Sequence, residues 1–210
     1  MRFGSWYQRI FAAVEAHGNQ EHERMMAARK TALLAGLNGD VLEIGPGGGP
    51  NLAYYAPTIH WVGVEPNPHM HSYLRQEAAR LGLSVDLRSG TAEALPAADQ
   101  CMDAVVSTLV LCSVHDQTQA LAEVRRVLRP GGRFIFLEHV AAPAGSRLRR
   151  VQNLVRPLWE AVGDGCHPNR ETWLAIQKAG FAQVELAHFD LPIPFIPNYI
   201  AGYTVAGARA

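Results

Sequence analysis

The residues able to do chemistry gather at the end of one short apolar run, Val41-Leu-Glu-Ile-Gly-Pro-Gly-Gly-Gly-Pro-Asn51. Glycines at 45, 47 and 49 let the backbone turn tightly and approach a ligand with no Cβ in the way. In an open α/β sheet such a turn lies at the carboxyl end of a strand, where ligands bind. The dinucleotide fingerprint G-x-G-x-x-G would place its third glycine at 50, which is Pro. The phosphate-cradling P-loop fails for want of a following Gly-Lys-Ser/Thr. Glu43 sits inside the apolar strand, where an unpaired carboxylate is costly, and no lysine or arginine is close in sequence. A ligand ammonium group, met directly or through water, is its expected partner. Glu65 follows 20 residues after Gly45, the position from which an acidic residue binds ribose hydroxyls. A ribose and an ammonium group with no phosphate describe S-adenosylmethionine.

These residues need elements to hold them. Trp6, Ile10, Phe11 and Val14 recur at helical spacing, and a second helical stretch runs from Glu21 to Leu37 before Asn38-Gly39. Short apolar runs then alternate with helices. Strands are predicted at 41–45, 60–64, 84–88, 104–108 and 133–138, with helices at 69–81 and 116–128 between them. The Arg129-Pro-Gly-Gly132 break precedes the fifth strand. Such alternation predicts a doubly wound, mostly parallel sheet with helices on both faces. Beyond it, helices are expected at 147–162 and 170–179, and closing strands at 182–189 and 199–206 form a hairpin around Leu191 to Pro197. One domain is expected, with a helical lid at 1–38, a cofactor-binding core at 39–140, and inserted helices and closing strands at 141–210.

Composition sets the bounds. Nineteen cationic side chains balance nineteen anionic ones in 210 residues, without the basic excess of a general nucleic-acid binder. Cys101, Cys112 and Cys166 are odd in number and share no C-x-x-C spacing, against a disulfide framework or structural zinc and in favour of a reducing compartment. No cluster of His, Asp and Glu has ligand spacing, so no metal is expected. The longest apolar run is too short to span a bilayer and no signal-peptide core is present. A cytoplasmic, monomeric protein is expected.

At this point the sequence resembles the class I S-adenosylmethionine-dependent methyltransferases with a type 11 domain, from about Glu23 onward. Gly90-Thr-Ala-Glu-Ala-Leu-Pro96 resembles the segment after the third strand, Asp103-Ala-Val-Val-Ser-Thr108 the fourth strand, and Val127-Leu-Arg-Pro-Gly-Gly132 the turn before the fifth. The resemblance implies a Rossmann-like sheet of seven strands and S-adenosyl-L-methionine as cofactor. It implies cofactor contacts from Glu43, Gly45, Gly47, Gly49, Asn51, Glu65, Pro66 and Thr108, with Ala92 and Glu93 beside the adenine. Within the class, the sequence is similar to membrane-associated alkyl-thiol S-methyltransferases. The matching segments are Thr108-Leu-Val-Leu-Cys-Ser-Val114, Glu138-His-Val-Ala-Ala142, Asp164-Gly-Cys166 with Arg170-Glu171, and Gly202-Tyr203. It departs from that group in having no N-terminal hydrophobic anchor, so membrane residence is not implied. Weaker similarity to quinone-biosynthesis and phosphatidylethanolamine methyltransferases keeps N-, O- or C-methylation open as an alternative. So does a non-catalytic cofactor-binding module.

The expected acceptor is a small lipophilic molecule, an alkyl thiol first. A thiol must lose its proton to become the nucleophile, and His139 and Asp164 are the candidate catalytic residues, ahead of His115. Cys112 and Cys166 are expected to pack as small hydrophobes. Trp6, Tyr7, Phe11, Met25 and Met26 are expected to form a lid, with Trp159, Phe195 and Ile196 opposite. The arginines at 147, 149, 150 and 156 are read as a solvated helix face, with peripheral membrane contact as the alternative.

Overall fold

The computed structural model describes residues 5–18, 20–194 and 196–207; Phe195 lies outside them. Two helices, α1 (Ser5–Gly18) and α2 (Gln20–Leu34), lead into β1 (Asp40–Ile44), a 3-10 turn at Leu52–Tyr54, β2 (His60–Val64) and α3 (Met70–Leu81). Then follow β3 (Asp86–Arg88), β4 (Met102–Thr108), α4 (Gln117–Val127), β5 (Leu128–His139), α5 (Arg147–Val162) and α6 (Thr172–Lys178). β6 (Gln183–Asp190) and β7 (Asn198–Val205) close the chain as an antiparallel hairpin.

The seven strands form one sheet in the order β3-β2-β1-β4-β5-β7-β6, with β3 to β5 parallel and β7 antiparallel to β5. The order reverses between β1 and β4, and a ligand crevice opens at such a switch point. Side chains alternate across β1. Leu42 and Ile44 pack with Ala120, Leu121 and Val124 of α4 and Ile176 of α6, while Val41 packs with Leu34 of α2 and Leu74 and Ala78 of α3. Covering both faces makes the central strands nearly all apolar, which is why Glu43 stands out.

The expected break at 129–132 is instead absorbed into β5. Met102 pairs with Leu128 and Ala104 with Arg133, so residues 129–132 loop out of register as a bulge. Arg129 there holds both Asp40 and Asp103, tying the amino ends of β1 and β4. Cap chemistry sets one helix start: the Asp116 carboxylate accepts the N–H groups of Thr118 and Gln119 at the head of α4. Among the described residues no helix is long and apolar enough to cross a membrane.

Candidate active site

A cavity of about 1300 Å³ opens at the carboxyl ends of β1, β2 and β4. Its wall includes Glu43, Gly45, Gly47, Asn51, Glu65, Pro66, Ala92, Glu93, Thr108 and Asp164. The N-terminal helices complete it with Phe11, Glu15, Glu23 and Lys30, in the manner of a lid. Gly49 is the exception among the predicted cofactor residues, since it does not line the cavity. Its φ is +87°, and a Cβ there would lie 2.9 Å from Leu52 Cδ1. It lets the turn close on the 3-10 segment below.

Gly45 and Gly47 also take left-handed backbone, at φ +58° and +55°. A Cβ on Gly45 would strike Val110 Cγ2 at 2.7 Å, whereas one on Gly47 would meet no protein atom within 4 Å. Gly47→Ala is therefore expected to cost about 1–2 kcal/mol, from backbone strain alone. Gly45→Ala should cost more. Thermal unfolding of the two variants checks the order, and equal losses would refute it.

Glu43 is 2% exposed, and its partners come from the protein rather than awaiting a ligand ammonium. Asn51 Nδ2 donates to Oε1 at 2.8 Å, while Tyr55 OH at 2.8 Å and Trp61 Nε1 at 3.1 Å donate to Oε2. Burial still raises its pKa against those three bonds and the nearby Lys30 ammonium. Lys30 is itself buried, paired with Glu23 at 2.6 Å. One sequence signal for this network existed. Gly63 pairs with Glu43 across the ladder, and a Cβ on it would lie 2.2 Å from the Trp61 ring. A strand glycine marks such close approach, here of the indole that reaches the carboxylate.

Glu65 accepts the N–H of Gly47 at 3.0 Å and of Asn67 at 2.8 Å. An ionised carboxylate has about four acceptor sites, which leaves two for vicinal hydroxyls. Asn51 spends its amide hydrogens on Glu43 and on Thr108 Oγ1 at 3.0 Å, while its buried Oδ1 has no partner among the described residues. An acceptor so placed suits a ligand ammonium. The Gly47 cradle, the Glu65 carboxylate and Asn51 Oδ1 thus fit the methionine and ribose parts of S-adenosylmethionine. The Glu93 carboxylate accepts the His115 N–H at 2.7 Å, so it also anchors the approach to α4.

Burial raises the Glu65 pKa above its ordinary value, outweighing its two backbone bonds. The ionised form is the one that accepts hydroxyl protons. Cofactor affinity is therefore expected to fall as pH drops through that raised pKa, sooner than for an ordinary carboxylate near about 4.3. Glu65→Ala should weaken binding by roughly 1–3 kcal/mol and remove this pH dependence. Titration calorimetry between pH 5 and 8 reads both, and an unchanged affinity would sink the ribose assignment.

Asp164 reaches the cavity from the loop after α5, on left-handed backbone at φ +49°, and its N–H donates to Tyr7 OH at 3.2 Å. Loss of solvent raises its pKa. Leu109, also on the wall, has φ +59°, a strained backbone for a bulky residue with no sequence signal. His139 is buried and does not line the cavity; its Nε2 lies 3.0 Å from Cys166 Sγ. Cys112, His139 and Cys166 place one ligating atom each within 4.8 Å of one another. Donation from Cys112, His139 and the Trp159 indole draws the Cys166 thiol down to about 4. The lid expectation holds in part. Phe11 lines the cavity and Tyr7 contacts Asp164, but Trp6 is 68% exposed and Met26 packs against Leu137 and Tyr199.

A seven-stranded sheet with a closing antiparallel hairpin, a glycine turn after β1 and an acidic residue after β2 define a class I methyltransferase. Residues 42–136 match the family model described as a methyltransferase domain. The chain is 40% identical to the thiol S-methyltransferase TMT1B of Rattus norvegicus, over 78% of this chain and 69% of that protein. It is 36% identical to thiol S-methyltransferase TMT1B of Homo sapiens, over 92% of this chain and 82% of that one. The crystal structure of YcgJ from Bacillus subtilis superposes with a TM-score of 0.66 at 19% identity, over 90% of this chain and all of that one. The chain belongs to the class I S-adenosylmethionine-dependent methyltransferases, in the group that holds these thiol S-methyltransferases.

Proposed function

We propose that the protein transfers the methyl group of S-adenosylmethionine to a small lipophilic thiol, leaving a methyl thioether. The observation that carries this reading is the cavity. Its volume of about 1300 Å³ exceeds the roughly 300–1,000 Å³ of a site for one small ligand. Cofactor and acceptor can therefore lie in it together. The named activity of its relatives, 36–40% identical, supports sulfur as the accepting atom. Phe11, Leu109, Val110 and Val114 supply an apolar wall for the acceptor's chain.

When bound, S-adenosylmethionine supplies an electrophilic sulfonium methyl group. The protein's share is to hold the acceptor sulfur in line at near-attack distance, which is worth more than any covalent help. Asn51 would hold the ammonium group and Glu65 the ribose of the cofactor, and Phe11 and its helix exclude water. Asp164 receives the thiol proton as the new sulfur–carbon bond forms and the sulfonium bond breaks. Its raised pKa makes it a better proton acceptor for a thiol than an ordinary carboxylate. His139 acts from behind the wall, by orienting the loop residue Cys166.

The test is methyl transfer from labelled S-adenosylmethionine to alkyl thiols, a quinol, phosphatidylethanolamine and simple phenols, with every product identified by mass. Methylated thiol is the expected product. Tight cofactor binding with no methylated thiol would discard the acceptor and leave the fold and cofactor standing.

A further inference from the structure

Three side chains at the carboxyl edge of the sheet have chemistry beyond the roles given above. Cys112 lies in the turn after β4, His139 ends β5, and Cys166 lies in the loop after α5. Consecutive members are 27 residues apart in sequence, far outside the spacing by which metal ligands are read from a chain. Folding alone brings them together. We propose that Cys112 Sγ, His139 Nε2 and Cys166 Sγ form a binding site for one zinc ion, with an exchangeable fourth ligand.

The geometry suits it. Tetrahedral zinc bonds of about 2.3 Å to sulfur and 2.0 Å to nitrogen give cage edges of about 3.8 Å (S–S) and about 3.5 Å (S–N). The three ligand atoms lie within 4.8 Å of one another, and the His139–Cys166 edge is 3.0 Å. Small side-chain rotations open the short edge and admit the ion. The donor set is also specific. Two thiolates and an imidazole favour zinc over magnesium or calcium, which take oxygen. Polar groups stand around the sulfurs as a metal thiolate requires. Trp159 Nε1 donates to Cys166 Sγ at 3.3 Å, and Ser113 Oγ lies 3.5 Å from Cys112 Sγ. All three residues are buried.

The site would also tie three separate segments together. Asp164 lies two residues before Cys166, and Leu109, Val110 and Ser113, beside Cys112, line the cavity. An ion here fixes the wall on which the acceptor rests without touching Glu65 or the glycine turn. Losing it should lower turnover while leaving cofactor affinity intact.

The experiment starts from full-length protein purified under reducing conditions, with no chelator and no metal-affinity tag. Elemental analysis is expected to give one zinc per chain. Chelator should lower the melting temperature and added Zn²⁺ restore it. Co²⁺ titrated into the stripped protein should produce thiolate-to-metal charge-transfer bands and the visible bands of a tetrahedral site. Cys112→Ser and Cys166→Ser should each weaken Co²⁺ binding by at least about 100-fold, the upper end for outer-shell losses. Cys101→Ser, at a cysteine outside the cluster, should not. Should a serine variant fail to fold, the chelator and Co²⁺ measurements on the unaltered chain still decide. Absence of zinc with no charge-transfer band overturns the site. A chain lighter by two hydrogens, with Cys112 and Cys166 joined and no metal taken up, replaces it with a disulfide.

Discussion

Replacing Glu43 with alanine is expected to lower the unfolding free energy by about 3–5 kcal/mol, the scale of leaving several buried donors without a partner. The same change should remove cofactor binding. Its carboxylate takes hydrogen bonds from Asn51, Tyr55 and Trp61, all buried. Each donor left without a partner costs about 1–3 kcal/mol, though the three losses do not simply add. For a chain of this length the loss corresponds to roughly 6–20 °C in melting temperature. The binding effect has a separate cause. Asn51 is oriented by Glu43 and Thr108, and without Glu43 its free Oδ1 is no longer aimed. Glu43→Gln keeps the shape but turns one acceptor into a donor, and should fall between the two. Calorimetric unfolding with a cofactor titration on each variant checks both effects. A Glu43→Ala protein within about 1 kcal/mol of the parent would mean that water reaches this network.

Asp164→Asn is expected to lower kcat for thiol methylation by about 10²–10⁴-fold, the usual worth of a positioned proton acceptor. Cofactor affinity should stay within a few-fold. The amide preserves the size of the side chain and, as an Asx residue, tolerates the left-handed backbone at φ +49°. What it loses is the ability to take a proton. In the parent, kcat should rise with pH as Asp164 ionises, above the ordinary carboxylate range because loss of solvent raises its pKa. The Asn variant should lack that limb. Single-turnover rates against pH for both proteins provide the measurement. An unaltered rate would remove Asp164 from the proton's path.

Much of this protein was legible in local sequence. Strands 60–64 and 147–162 as a helix fall where periodicity and breakers put them, because a sheet covered on both faces admits only apolar runs with abrupt ends. The glycine turn and Glu65 were legible for a different reason. A backbone at positive φ and a carboxylate at a strand end are local requirements, written within some twenty residues. The bulge at 129–132 was not. Its glycines look like a turn, and only the pairing of Leu128 and Arg133 with β4 on either side of them, and the backbone bonds of Gly131 and Gly132 with Ala206, hold them within the strand.

The site divides along the same line. Sequence by itself brought Glu43, the glycine turn, Asn51 and Glu65 together as a candidate cofactor cradle, since they lie along one path from β1 through the 3-10 turn to the end of β2. Beyond the signal at Gly63, tertiary structure decided what Glu43 meets, because Tyr55 follows the 3-10 turn, Trp61 lies on β2 and Lys30 on α2. It alone set Asp164 on the cavity wall and His139 behind it, and brought Cys112 beside Cys166. Contacts that close only when the turn after β4, the end of β5 and the loop after α5 converge leave no periodicity in the chain.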